Sequence, residues 1–286
     1  MTFKILTDST ADLPEKWVRE NDVTVMGLAV QLNDQTFETV GPARLTSEIL
    51  LREMEKGAQP KTSQVNVGQF EAVFQEAVDK GEAILYLVFS SALSGTYQSA
   101  VIARELIREE HPEAKIQIID TKAATIGEGY LVMKAAEARA AGKTLEETIH
   151  EIVQLAPYLH TYMIVDDLEH LVRGGRLSKV AAMVGGLMNI KPLISINSEG
   201  RLESIGKIRG RKKGVAEMVA RTLSDLNDDT ILIAYTGDQQ AAEELKERLL
   251  QESGVERVIV APLGPVIAAH TGNNILALLS IGKSRR

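Results

Sequence analysis

Ala83-Ile84-Leu85-Tyr86-Leu87-Val88-Phe89-Ser90-Ser91-Ala92-Leu93-Ser94-Gly95-Thr96 is the stretch that decides the fold. Its first half is a short apolar run that reads as a buried strand. Its second half is a hydroxyl-rich loop that opens a helical pattern over Tyr97 to Glu109. At such a helix start the first backbone N–H groups lack intrahelical partners and the dipole presents its positive end. A strand that empties into such a loop is suited to holding an anion, with Ser94 and Thr96 adding hydroxyl donors. Ser94 equally fits the plainer role of an N-cap.

Outward from this stretch the alternation recurs. Phe3 to Thr7 reads as a strand, Leu13 to Glu20 as a helix and Val23 to Leu32 as extended chain. Helical spacing marks Ser47 to Lys56 and Val67 to Asp79, and Ile116 to Asp120 reads as a strand. Helices over Ile126 to Ala141 and Leu145 to Leu155 are parted by Gly142. Repeated β/α units imply a mostly parallel sheet covered by helices. After Pro157 the style changes. A strand at Thr161 to Val165 and a short helix at Ser178 to Gly185 precede Lys191 to Asn197 and Leu202 to Arg209, which flank Ser198-Glu199-Gly200 as a β-hairpin. A helix over Lys213 to Asp225, a strand over Ile231 to Tyr235, a helix over Gln240 to Leu250 and strands over Arg257 to Val260 and Asn274 to Ser280 complete the pattern. The expected fold is α/β with two domains. Residues 1–157 form an N-terminal, mostly parallel sheet flanked by helices, and 158–286 a C-terminal mixed α/β sheet domain, with a ligand pocket between or within them.

Composition narrows the function. The absence of cysteine excludes disulfides, thiolate metal sites and a cysteine nucleophile. No apolar run approaches the roughly 20 residues of a membrane span, and the N-terminus reads as a strand rather than a signal peptide, so a cytoplasmic protein is expected. The net charge of −7 opposes general nucleic-acid affinity. The charge is uneven, however. Leu171 to Lys213 holds ten basic residues against Glu199 and Glu203, leaving 22 basic and 37 acidic residues elsewhere. This implies a basic patch on an acidic body, with no interleaved aromatics of the kind that stack on nucleic-acid bases.

Ligands of open α/β sheets bind beyond the carboxyl ends of the strands, so the loops there carry the chemistry. After the first strand stand Asp8, Ser9, Thr10 and Asp12; Asp8 either orients neighbouring hydroxyls or ties down its own loop. Pro60-Lys61-Thr62-Ser63-Gln64 reads as a loop with two hydroxyls and an amide. Gly264 to Gly272 sets His270 between an apolar segment and a Thr-Gly turn.

Five segments together resemble the DegV family: Thr7-Asp8-Ser9-Thr10-Ala11-Asp12-Leu13-Pro14, Thr62-Ser63-Gln64, Ser90 to Ala100, Gly174-Gly175-Arg176-Leu177-Ser178, and Gly264-Pro265 to His270-Thr271-Gly272. They occur in family order along the whole chain. The resemblance implies a bacterial fatty-acid-binding protein, similar to the acyl-carrier subunit of a two-component fatty acid kinase. It places the carboxylate site on Thr62, Ser94 and His270, supported by Asp8, Ser9, Ser63, Gly95 and Thr96. Two hydroxyls and an imidazole N–H are suitable donors to a carboxylate, which when buried without them is protonated or expelled. Ile126, Met133, Met183, Leu187, Met188 and Ile194 are the candidate tail contacts. Where the family often continues His-Thr-Gly with Pro-Gly, this chain has Asn273-Asn274.

The resemblance further implies a non-catalytic carrier without a cofactor or metal. Its partners would be a long-chain fatty acid, a kinase subunit and, transiently, a membrane surface. Arg173, Arg176 and Arg209 would face the partner or its phosphates. No Gly-x-x-x-x-Gly-Lys-Ser/Thr segment supplies a nucleotide site. The alternative is a serine esterase or other acyl hydrolase using Ser94 and His270 with Asp8, although Leu-Ser-Gly-Thr departs from the Gly-x-Ser-x-Gly elbow.

Overall fold

The computed structural model describes residues 3–166, 168–178 and 190–286. Strands β1 (Phe3–Asp8), β2 (Val23–Met26), β3 (Ala29–Leu32), β4 (Gln35–Glu38), β5 (Lys61–Ser63), β6 (Ala83–Val88) and β7 (Ile116–Asp120) occupy the first part of the chain. The second part carries β8 (Leu159–Ile164), β9 (Ile190–Ile196), β10 (Leu202–Arg209), β11 (Leu226–Tyr235), β12 (Arg257–Pro262) and β13 (Leu276–Gly282). The helices that matter for the site are α1 (Glu15–Glu20), α2 (Ser47–Glu55), α3 (Val67–Asp79), α4 (Thr96–Glu110), α5 (Thr125–Ala140), α6 (Leu145–Leu155), α7 (Glu169–Arg173), α8 (Arg211–Asp225), α9 (Gln239–Leu249) and α10 (Pro265–Thr271).

The described residues form three sheets. The first is parallel throughout, in the order β2-β1-β6-β7. The second is mixed, in the order β10-β9-β8-β13-β11-β12, with β11 and β12 its parallel pair. The expected α/β architecture with a parallel and a mixed sheet is therefore present. A third, antiparallel sheet β4-β3-β5 was not expected. Val23 to Leu32 is not one extended unit: the chain leaves the parallel sheet at Gly27 and enters this small sheet. Lys61–Ser63, read as loop, is its edge strand.

β6 explains its own sequence. Ile84, Leu85, Tyr86, Leu87 and Val88 are wholly buried, so both faces must be apolar. Ile84, Tyr86 and Val88 join the core containing Phe70 and Phe74. Leu85 and Leu87 face the opposite way, into a core shared with Leu159, Leu279 and helix α5. That helix lies between the two larger sheets, close enough that a Cβ on Gly127 would stand 2.7 Å from the Leu279 side chain.

Boundaries moved elsewhere for local reasons. Asp8 caps a 3-10 turn over Ser9–Ala11 by accepting from the Thr10 amide, and α1 starts only after Pro14. β11 begins five residues before the expected Ile231, and β13 ends at Gly282 instead of Ser280. The short helices α7 and α10 are too brief for periodicity to reveal. The β9–β10 hairpin forms as expected, its turn closed by Gly200 N–H to the Asn197 carbonyl at 2.8 Å. Beyond Ser178 itself, the helix expected over Ser178 to Gly185, with Met183, Leu187 and Met188, lies outside the described residues.

Candidate functional site

Four structural ends converge on one cavity. The loop after β6 delivers Leu93, Ser94 and Gly95, β5 delivers Thr62, α5 begins at Thr125, and α10 ends with His270 and Thr271. The cavity encloses about 930 Å³ of empty space when its open mouth is included. Most of its wall is apolar: Phe89, Met163, Ile196, Val266, Ile275 and Ala277 are representative. The two parts of the chain both contribute, because β8 and β13 supply Thr161, Met163 and Ala277 while the first part supplies Leu28, Phe89 and Ala124.

The polar groups of the lining are tied down by specific contacts. Thr62 Oγ1 lies 2.7 Å from His270 Nε2, a hydrogen bond between residues 208 apart in sequence. Ser94 Oγ accepts from the Thr96 amide at 3.2 Å and lies 2.9 Å from Thr96 Oγ1. Gly95, and not Ser94, is the N-cap residue of α4, and the Gln64 side-chain amide occupies the place a Cβ on Gly95 would take. Arg176 Nε donates to the Leu93 carbonyl at 3.0 Å, which ties the Gly174–Ser178 segment to the Ser94 loop. Gly174 is required beside His270, since a Cβ there would stand 2.2 Å from Nδ1. Burial, reinforced by Arg176 and His170, pulls the His270 imidazole down to about 4, so it is neutral near pH 7.

Two long helices also begin at the cavity. Gly95 precedes α4 and Thr125 opens α5, and the first N–H groups of each lack intrahelical partners. Thr125 has φ +58°, a left-handed conformation costly for a β-branched residue. We expect Thr125→Gly to keep the melting temperature or raise it by up to about 4 °C, as strain is released. Calorimetry on lipid-free protein checks this, and a lower melting point would show that Thr125 contacts outweigh its strain.

The other expected residues divide. Thr96 is fully buried and bonds Ser94. Ser9 Oγ accepts from the Leu28 amide at 3.1 Å and donates to Thr39 Oγ1 at 2.7 Å, whose own hydrogen goes to the Leu28 carbonyl, steadying a cavity-wall residue. Asp8 is fully buried and lies outside the lining; its Oδ2 accepts from the Phe89 amide at 3.1 Å. Ser63 is exposed and also lies outside the lining, since adjacent residues of a strand face opposite ways. Arg176 is half-buried in the cavity wall and not on an open surface, whereas Arg173 and Arg209 are exposed. Arg173 bonds His170 Nδ1 at 2.5 Å. Part of the basic patch is neutralised, because Lys191 and Arg211 share Asp166.

Ile126, Met133 and Ile194, offered as tail contacts, are packed core and do not line the cavity. Residues that sequence reasoning missed include Gln64 as a neighbour of Gly95, Gly174 as the seat of His270, and Thr125. An esterase would need His270 on the Ser94 hydroxyl. Among the described residues His270 bonds Thr62, Ser94 bonds Thr96, and Asp8 bonds Thr10, Tyr86 and Phe89.

Comparisons with known proteins agree over the full length. A family model described as "Uncharacterised protein, DegV family" matches residues 2–283. A DegV domain-containing protein of Streptococcus pyogenes serotype M1 is 52% identical over 286 residues, covering 100% of both chains. A solved DegV family protein from Thermus thermophilus, described by its fatty acid binding, superposes with a TM-score of 0.89 at 32% identity, covering 99% of this chain and 100% of that one. DegV of Bacillus subtilis, described as a fatty acid binding protein, superposes with a TM-score of 0.84 at 26% identity, covering 98% of each.

Proposed function

This chain belongs to the DegV family, and we propose that it binds a long-chain fatty acid with its carboxylate at Thr62, Ser94 and His270 and its tail along the apolar wall. The observation that carries this reading is the Thr62–His270 hydrogen bond in the wall of a largely apolar cavity. With Nε2 carrying the hydrogen, the neutral imidazole donates to Thr62 Oγ1. The hydroxyl hydrogen of Thr62 is then left for a third group, and a carboxylate oxygen accepts it. Ser94 works alike: its oxygen accepts from the Thr96 amide and, with the Thr96 hydroxyl donating to it as well, its own hydrogen is left for the ligand. The two helix starts add favourable potential for the negative charge. Hydrogen bonds to a charged group are worth about 1.5–3 kcal/mol each.

The protein then presents the acid to a separate ATP-dependent kinase. A carboxylate oxygen attacks the γ-phosphorus, the bond from that phosphorus to the β,γ-bridging oxygen breaks, and acyl phosphate and ADP result. The carrier's share is positioning, while the exposed Arg173 and Arg209 offer positive charge to the partner or its phosphates. Serial extraction tests the binding half directly. Protein purified without added lipid, denatured and extracted, should yield near-stoichiometric free fatty acid by mass spectrometry. Thr62→Val should bind labelled fatty acid roughly 10–100-fold more weakly with unchanged melting. An empty extract and no uptake would remove the fatty acid, and equal affinity in the variant would remove Thr62.

A further inference from the structure

Behind the cavity wall, where β1 meets α5, three acidic side chains gather that the ligand site does not use. Asp8 and Glu128 are fully buried, and Asp12 adjoins them in the following turn. Asp8 accepts four hydrogen bonds. Oδ1 receives the Thr10 amide at 3.0 Å and the Thr10 hydroxyl at 2.6 Å. Oδ2 receives the Tyr86 hydroxyl at 3.2 Å and the Phe89 amide at 3.1 Å. Each oxygen accepts a backbone N–H, which can only donate, and a hydroxyl beside it, and four donors around two oxygens suit an ionised carboxylate.

Glu128 is served differently. Its Oε1 receives the Thr7 hydroxyl at 3.0 Å, and its Oε2 lies 2.9 Å from Thr10 Oγ1. Thr10 has a single hydroxyl hydrogen, and the shorter contact assigns it to Asp8. The hydrogen between Thr10 and Glu128 must then come from Glu128.

We propose that Glu128 is held protonated in the folded protein and donates to Thr10, which passes the hydrogen bond to the Asp8 carboxylate holding Phe89 in the cavity wall. Glu128 and Thr10 are thus positioning residues that act through Asp8. The protonation stands whatever the cavity binds; only its consequence for a lipid rests on the proposed function.

The surroundings agree with this assignment. Burial first, and the Asp8 charge second, push Glu128 well above the usual carboxylate range, with Asp12 adding to the rise and the Thr10 and Thr7 hydroxyls opposing it. The facing titratable groups are Asp8 from the end of β1, Asp12 from the turn beyond, and Tyr86 from β6; burial pushes these up as well. A carboxyl raised in the fold contributes stability that is complete below its unfolded value, about 4.5 for Glu128. That contribution is lost as pH rises through the folded value.

Glu128→Gln supplies a donor and an acceptor in the same places, whereas Asp8→Asn turns an NH₂ toward an amide N–H. On lipid-free protein at pH 7, Glu128→Gln should melt within about 4 °C of wild type and Asp8→Asn more than about 8 °C below it. Glu128→Gln should also remove a protonated-carboxyl infrared band and reduce the decline of stability above pH 5. The assignment is overturned if Glu128→Gln melts as low as Asp8→Asn, or if it leaves the infrared band and the pH profile unchanged. Because no readout involves lipid, failure here is distinguishable from failure of the fatty-acid reading.

Discussion

Ala277→Phe is expected to abolish fatty-acid retention while leaving the lipid-free protein at least as stable as wild type. Ala277 sits on the inner strand β13, opposite Met163 on β8 and Ala234 on β11, and it lines the cavity. A phenyl ring there projects into existing space, so it fills a void and gains packing instead of displacing a neighbour. The lipid loses that space. About 15 methylenes at about 0.8 kcal/mol each amount to on the order of 12 kcal/mol of gross tail burial. Association costs consume a large part of it. Forfeiting even a third of the gross term exceeds a hundredfold, and we expect a loss of about 1,000-fold or more. Melting with and without fatty acid reads both effects together. Ligand at about 100 times its dissociation constant stabilises wild type by about 2.7 kcal/mol, and the variant should show no ligand-dependent rise. A variant that retains the wild-type rise would place the tail elsewhere.

The same cavity shows where sequence reasoning reached and where it stopped. β6 was legible because a strand buried on both faces must be apolar at every position, and the loop after it was legible because hydroxyls cluster where a helix starts. Thr62, Ser94 and His270 were named from local chemistry and the family resemblance, and all three line the same cavity. Other features are written in no local pattern. β5 has three residues, too few to show a period of two. Helix α10 carries Pro265 at its start, a recognised signal, but its seven residues fall short of a readable helical stripe. Ile126, Met133 and Ile194 do not line the cavity, for a physical reason. Helix α5 is buried nearly all round because it lies between two sheets, so Ile126 and Met133 are apolar for packing alone. A void, by contrast, is bounded by side chains that stop short, and Ala124 and Ala277 give no such signal in one dimension. The left-handed Thr125 is equally silent, since nothing in a threonine announces its φ.

Acidification should separate His270 from every other group in the site. Its imidazole titrates at about 4 instead of the ordinary 6.5 because burial, Arg176 and His170 all oppose the charged form. A group depressed in the fold contributes stability that is complete above its unfolded value and is lost as pH falls through the folded one. The window is therefore pH 6.5 down to 4. At about 1.4 kcal/mol per pH unit this corresponds to roughly 3 kcal/mol, less a share for the exposed edge of the ring. The buried acids Asp8, Asp12 and Glu128 act in the opposite sense, so the informative quantity is the difference between wild type and His270→Asn. Denaturant melts of lipid-free protein at pH 7 and pH 4.5 should show wild type losing about 2–3 kcal/mol more than the variant. A bound carboxylate reverses the balance. A negative charge beside the imidazole favours its protonated form, so fatty-acid binding should take up a proton. Affinity should then rise as pH falls from 7 to 5 in wild type and stay flat in His270→Asn. If wild-type affinity is equally flat, the carboxylate does not sit beside His270.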